Sequence, residues 1–255
     1  MVGVGEKGSA DLKFTARSRG GHASTPPKNT PLVRLGRFMA EADKQRIFDV
    51  RLSPAVCGML KSLAPYLNGM QAKVMAHPKL FRCILVPVLT SLSPSTAALL
   101  RTTVAFTMAS SSDGSNVLPS EAWVVANMRY FHHQGQKDSL DAIRKLAGKF
   151  DLETEVLDPG SPSRITDYTR EGFAMIRQAV DAVFPGVVTV PYLLSGASDA
   201  RYFDRLSDHT LRFLPFFADS EQIETIHGTD ESLNLDTLAP AVRFYQYLMK
   251  EEMRP

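Results

Sequence analysis

A run of turn-forming residues, Asp158-Pro159-Gly160-Ser161-Pro162-Ser163, divides the chain into two stretches whose apolar residues recur with different periods. Before it, short segments alternate apolar and polar positions. After it come helix-period segments and near-continuous apolar runs. A boundary is therefore expected there, with one domain over 4–158 and a second segment over 159–255.

In the first stretch, residues 8–18 place Ala10, Leu12, Phe14 and Ala16 at every second position, the period of a half-buried strand. Gly20-Gly21-His22 and the following Pro26-Pro27 read as a loop. Thr30-Pro31 reads as a helix start, with Leu32, Leu35, Phe38, Met39 and Ala42 as its apolar stripe. Residues 102–109 and 122–131 are rich in β-branched and aromatic side chains and flank the turn-rich 112–116, which predicts an antiparallel pair. A helix over 137–150 and a strand over 152–157 follow. Between about 45 and 98, Pro54, Pro65, Pro78, Pro87 and Pro94 break the chain into short pieces. Leu60, Leu63, Leu67, Phe81, Leu85 and Val88 are spaced there as helix faces, which predicts a helical insertion. Without it the order is β-α-β-β-α-β, an α+β lid of the ferredoxin-like, split βαβ kind.

Beyond the boundary a helix is expected over 171–184, a buried strand of the parallel kind over 187–194, a second over 211–217 and a closing helix over 238–253. Two strands are too few for an α/β domain with both sheet faces covered. The expectation is the C-terminal part of an α/β catalytic domain that other sequence completes.

The 29 Lys and Arg residues nearly balance 27 Asp and Glu, and a net charge of +2 gives no electrostatic case for nucleic acid or an anionic membrane. A small-molecule partner is expected instead. The N-terminus carries no basic segment followed by an apolar one, so the compartment is unread, the cytoplasm being favoured for want of a leader. The two cysteines, Cys57 and Cys83, are too few for a disulfide framework and read as core residues.

Several polar residues lie where chemistry is possible. Asp199 and Arg201 follow the expected strand ending at 194, beyond the carboxyl end where open α/β sheets hold ligands; equally, Ser198 or Asp199 caps a short helix. His227 stands in a polar loop beside Asp230 and Glu231, as a metal ligand or as an ordinary solvated histidine. The same two readings hold for His22, whose preceding glycines permit close backbone approach to a ligand. Asn116 is a ligand-facing amide or a turn residue, and Arg129 a ligand-facing cation or half of a cross-strand ion pair.

Taken in order, Gly5-Glu6-Lys7-Gly8, Gly21-His22-Ala23-Ser24, Asn116-Val117-Leu118-Pro119, Asn127-Met128-Arg129, the Gly196 to Arg201 motif and His227-Gly228 with Glu231 form a series. That series resembles the second half of the zinc-dependent aminoacylase/carboxypeptidase metallopeptidase family. The resemblance is greatest to carboxypeptidase S and the N-acyl amino acid synthase/hydrolases. It implies a hydrolase of amide bonds in N-acyl amino acids or small peptides, homodimeric through its lid, with two zinc ions in the complete enzyme. By the same resemblance His227 is the one zinc ligand in this chain, the family's His-x-Asp and Glu-Glu ligands lying upstream. His22 acts catalytically in the partner's site, while Asn116, Arg129, Asp199 and Arg201 bind or brace the substrate. The chain by itself is then expected to be inactive. The competing reading is a dimerisation module without catalysis.

Overall fold

The computed structural model describes residues 1–44, 46–160, 163–226 and 228–252. Strand β1 (Val2–Glu6) runs almost directly into β2 (Gly8–Arg17), with Lys7 alone between them, and a short β3 (Gly21–His22) follows. Helix α1 (Pro31–Asp43) leads into the helical segment α2 (Pro54–Leu63), α3 (Gly69–Ala76), α4 (Arg82–Leu92) and α5 (Pro94–Ala98). Then come β4 (Thr103–Ser110), β5 (Val117–Leu118), β6 (Glu121–Tyr130), α6 (Gly135–Gly148) and β7 (Glu153–Asp158). The last part contains α7 (Glu171–Val183), β8 (Pro191–Leu194), α8 (Ala200–Phe203), α9 (Ser220–Glu224) and α10 (Leu238–Glu252).

The main sheet is antiparallel with strand order β4-β6-β2-β7. Alternation decides its faces. Ala10, Leu12 and Phe14 of β2 and Ala122, Val124, Ala126, Met128 and Tyr130 of β6 are buried, and α1 and α6 cover them with Leu35, Phe38, Ile143 and Leu146. Phe14 and Phe38 rings lie 4.5 Å apart, and Phe106 stands edge-on to Phe38 at 5.6 Å. The other face carries Asp11, Thr103, Asn127 and Arg129, which by the same period of two point away from the helices. Gly8 lies opposite Tyr130, and a Cβ there would sit 2.0 Å from the Tyr130 ring, so the crossing of β2 over this tyrosine requires glycine.

A second, two-stranded parallel sheet pairs β1 with β8, backed by Phe173 of α7, and α10 packs on α7 through Phe244, Ala179 and Val180. Four details depart from the sequence-based expectations. Only the end of the apolar run 187–194 is strand, because the register starts with Val2 opposite Pro191. Residues 211–217 form no strand: Arg212 exchanges both backbone bonds with Gly3 as an isolated bridge, and Pro215 has no N–H to carry pairing on. Leu32 and Val88 face outward on their helices. Cys57 is buried but Cys83 is exposed. No helix among the described residues is long and apolar enough to cross a membrane.

Candidate functional site

His22 and Asn116 meet at one end of the main sheet. Gly20 and Gly21 take φ values of +68° and +148°, which let the chain reverse after β2, and His22 then pairs with Val117 in the β3-β5 ribbon. The N–H of Ala23 donates to the Asn116 carbonyl at 2.9 Å. The His22 ring is exposed, and the Ser24 N–H donates to its Nδ1 at 3.2 Å, with the Ser24 hydroxyl 2.8 Å from the same atom. With Nδ1 turned to Ser24, Nε2 is the ring nitrogen left to meet a ligand.

Arg129 lies near the other end. It is eight residues beyond Glu121 along β6, and Glu121 faces Arg17 at the end of β2 nearest His22. At an antiparallel strand rise of about 3.4 Å per residue the two ends are about 27 Å apart. The Nε of Arg129 donates to Asn127 Oδ1 at 2.8 Å, and Asn127 Nδ2 donates to Asp11 at 2.6 Å, which fixes the guanidinium through an amide rather than a carboxylate. The cross-strand ion pair open to Arg129 is therefore absent among the described residues. Arg129 lines a cavity of about 620 Å³ together with Asn127, Thr103 and Arg101, walled on the other side by residues 90–98.

A third group forms around Glu6, which is buried. Its Oε1 accepts from Arg212 Nε at 3.0 Å and from the Ser198 hydroxyl, and its Oε2 lies 3.7 Å from Arg201 Nε. Arg212 also approaches Asp204 at 3.7 Å. Arg201 thus turns inward to brace the loop that holds Ser198, whereas Asp199 is exposed at the start of α8 and caps it with no side-chain bond. Next to Glu6, the buried Lys7 ammonium donates to Ala98 O, Arg101 O and Thr103 Oγ1 at 2.9–3.2 Å. Burial first, then the charges of Arg129 and Arg101, pull it down to about 7. Sequence reasoning picks out Gly5-Glu6-Lys7-Gly8 as a motif but assigns neither charged residue a role. The one signal it offers is a Glu-Lys pair between glycines at the entrance to a strand.

His227 lies outside the described residues. Among the described residues no group of three or more His, Cys, Asp or Glu side chains gathers closely enough to hold a metal ion. The donors among the described residues therefore do not fit a zinc pair by themselves.

Residues 4–155, more than half of the chain, match the family model described as the peptidase dimerisation domain. The chain is 28% identical to the N-fatty-acyl-amino acid synthase/hydrolase PM20D1 of Xenopus tropicalis, covering 98% of this chain and 49% of that protein. It is 26% identical to a probable carboxypeptidase S-like protein of Dictyostelium discoideum, covering 98% and 48%. It spans about half the length of these curated relatives. Among solved structures its fold is similar to the di-peptidase Dug1p of Saccharomyces cerevisiae, with a TM-score of 0.65 at 12% identity over 100% of this chain and 56% of that one. It is also similar to the M20 family metallo-carboxypeptidase Sso-CP2 of Sulfolobus solfataricus, with a TM-score of 0.62 at 14% identity over 98% and 59%. The segment that brings His22 beside Asn116 and carries Arg129 on a central strand is a dimerisation domain, and the chain belongs to the M20 peptidase family.

Proposed function

We propose that this chain is the lid and adjoining catalytic segment of a metal-dependent hydrolase that cleaves amide bonds in N-acyl amino acids or small peptides, its sites being completed across a two-fold axis. The lid, over 4–158, is a ferredoxin-like sandwich carrying a helical insertion at 45–98, and 159–255 is the C-terminal segment of an α/β catalytic domain. The observation that carries the proposal is the distance of about 27 Å between the His22 end and the Arg129 end of one sheet. A single small substrate cannot touch both in the same chain.

A two-fold dimer removes the difficulty. Strand β4 is an exposed edge whose sequence, Thr103 to Ser110, holds no charge, whereas the opposite edge β7 carries Glu153, Glu155 and Asp158. Charged edges resist pairing and uncharged ones invite it. Thr103 of β4 lies beside Arg129 and Ser110 beside Trp123 at the far end. Antiparallel pairing of two β4 strands therefore brings the His22 end of one chain toward the Arg129 end of the other.

In this arrangement Arg129 pairs with the substrate's carboxylate through its free guanidinium nitrogens, and the partner's Nε2–H of His22 donates to the oxygen that becomes negative as the amide carbonyl is attacked. Asn116, tied to His22 through the backbone, lines the same mouth. Arg201 positions the Ser198 loop, and Asp199 faces the space beyond β8. The zinc ions and their ligand His227 belong to the complete enzyme, whose other ligands lie outside these residues, so the chain alone has no amidase activity.

The test uses the full-length protein. Homodimers of His22→Ala and of Arg129→Ala are each expected to be nearly inactive, and mixing them restores about a quarter of wild-type turnover, since half of randomly exchanged dimers hold one complete site of two. No recovery despite proven exchange would place His22 and Arg129 in one chain's site and sink the proposal. A full-length protein without amidase activity on any N-acyl amino acid would favour a dimerisation module.

A further inference from the structure

The cavity that Arg129 lines has a second cation that the proposed function does not use. Arg101 stands at the end of the helical segment, and its Nε is buried with no hydrogen-bond partner among the described residues. Among the described residues neither Arg101 nor Arg129 is paired with a carboxylate there. The nearest acid bonded into the group is Asp11, one amide away through Asn127. Behind the wall, Lys7 binds the carbonyls of Ala98 and Arg101 and the hydroxyl of Thr103, so a third cation holds the cavity's lining in place. Arg101 and Arg129 line the same cavity.

Positive charge gathered in a cavity without a counter-ion is costly, and a bound anion relieves it. A ligand with one carboxylate leaves one guanidinium uncompensated; a dianion compensates both. We infer that this cavity is a two-arginine subsite, in which Arg101 determines specificity by engaging a second carboxylate, and that the preferred substrates are N-acyl derivatives of dicarboxylic amino acids. The inference rests on the reading of Arg129 as the holder of the first carboxylate. A volume of about 620 Å³ suits such a ligand with its waters. The helical segment then serves the site directly, because residues 90–98 close the side of the sheet on which the second carboxylate enters.

Titration calorimetry on the purified chain, with N-acetyl-glutamate and its singly charged isostere N-acetyl-glutamine at equal ionic strength, tests this. The glutamate derivative is expected to bind about tenfold more tightly, the factor that about 1.4 kcal/mol supplies. Arg101→Gln should abolish that preference and leave the glutamine derivative's affinity unchanged, and Arg129→Gln should weaken both. Since Lys7 is held by the Arg101 carbonyl rather than its side chain, Arg101→Gln is expected to fold, which circular dichroism and Tm check, and Arg101→Lys should keep part of the preference. Equal binding of the two ligands, or a preference that survives Arg101→Gln, overturns the inference; if Arg129→Gln still weakens both, the single-carboxylate reading stands. Binding indifferent to both variants, or none up to about 10 mM, overturns the two together.

Discussion

Glu6 and Arg212, 206 positions apart in sequence, meet at 3.0 Å with both side chains almost wholly out of water. Removing one member of such a pair strands the other. Glu6→Gln is expected to cost about 3 kcal/mol, because Arg212 and the half-buried Arg201 lose their shared counter-charge. Adding Arg212→Met to Glu6→Gln should recover a large part of that loss. Urea unfolding of the single and double variants measures both; a Glu6→Gln midpoint equal to wild type would show that the network is ornamental.

Lys7 makes stability depend on pH with a definite sign. Its folded-state value, lowered to about 7 chiefly by burial, lies below the ordinary lysine value of 10.5, so between these two the unfolded chain binds more protons than the folded one. This lysine's contribution to stability therefore rises with pH from about 7 to 10.5, and below 7 its full cost is present. The slope is at most about 1.4 kcal/mol per pH unit for one proton, lessened by the three acceptors that favour the ammonium. Lys7→Met should flatten this part of the stability-against-pH curve. Parallel curves for the two proteins from about pH 7 to 10 would contradict the burial argument.

The crossing of Gly8 over Tyr130 tolerates no side chain. Gly8→Ala drives a methyl into the ring at 2.0 Å, and because the Tyr130 hydroxyl is tied to the Gly160 carbonyl, the ring cannot swing away cheaply. A loss of about 2 kcal/mol or more is expected in thermal or urea unfolding. Gly8→Ala should cost less in a Tyr130→Phe background than in the wild type, since loss of the hydroxyl removes both the tether and one of the clashing atoms. Near-wild-type stability of Gly8→Ala would mean that β2 has room to shift.

Strand β4 is expected to carry the dimer. Met108→Lys places a charge on its exposed edge and should give monomers in light scattering at tens of micromolar, on the order at which weak edge contacts separate. Glu155→Lys on β7 should leave the dimer intact. Dimers that survive the first change and fall apart with the second would move the seam to the other edge.

What is legible in the sequence follows from how local each signal is. The period of two in Ala10 to Ala16 and the apolar stripe of α1 are set by neighbours along the chain, and both elements form within a few residues of expectation. The second strand expected over 211–217 does not form, because whether an apolar run becomes a strand depends on a distant partner, and Arg212 finds only Gly3. Cys83 departs from expectation for the same reason: composition favours burial, but packing in α4 decides it. At the site, the link between His22 and Asn116 is written in no periodicity; it arises where a loop returns across 94 residues to pair with β5. Glu6 gives no local sign of its role because its partners, Ser198, Arg201 and Arg212, lie about two hundred residues away.

The single residue between β1 and β2 sets the mechanics of any lid movement. With Lys7 as the whole connection, and its ammonium fastened to Ala98, Arg101 and Thr103, this side of the joint has no slack to slide. Relative movement of the two sheets is therefore expected as a rotation about that point, with β2 as the lever arm. Ten residues of strand carry its far end about 30 Å from the pivot, so a turn of about 10° moves the His22 end by about 5 Å while Arg129, close to the fulcrum, hardly stirs. On the proposed reading, one end of the sheet is a fixed jaw and the other the swinging one, and travel too small to disturb the Glu6 network is expected to suffice for a small molecule to enter or leave.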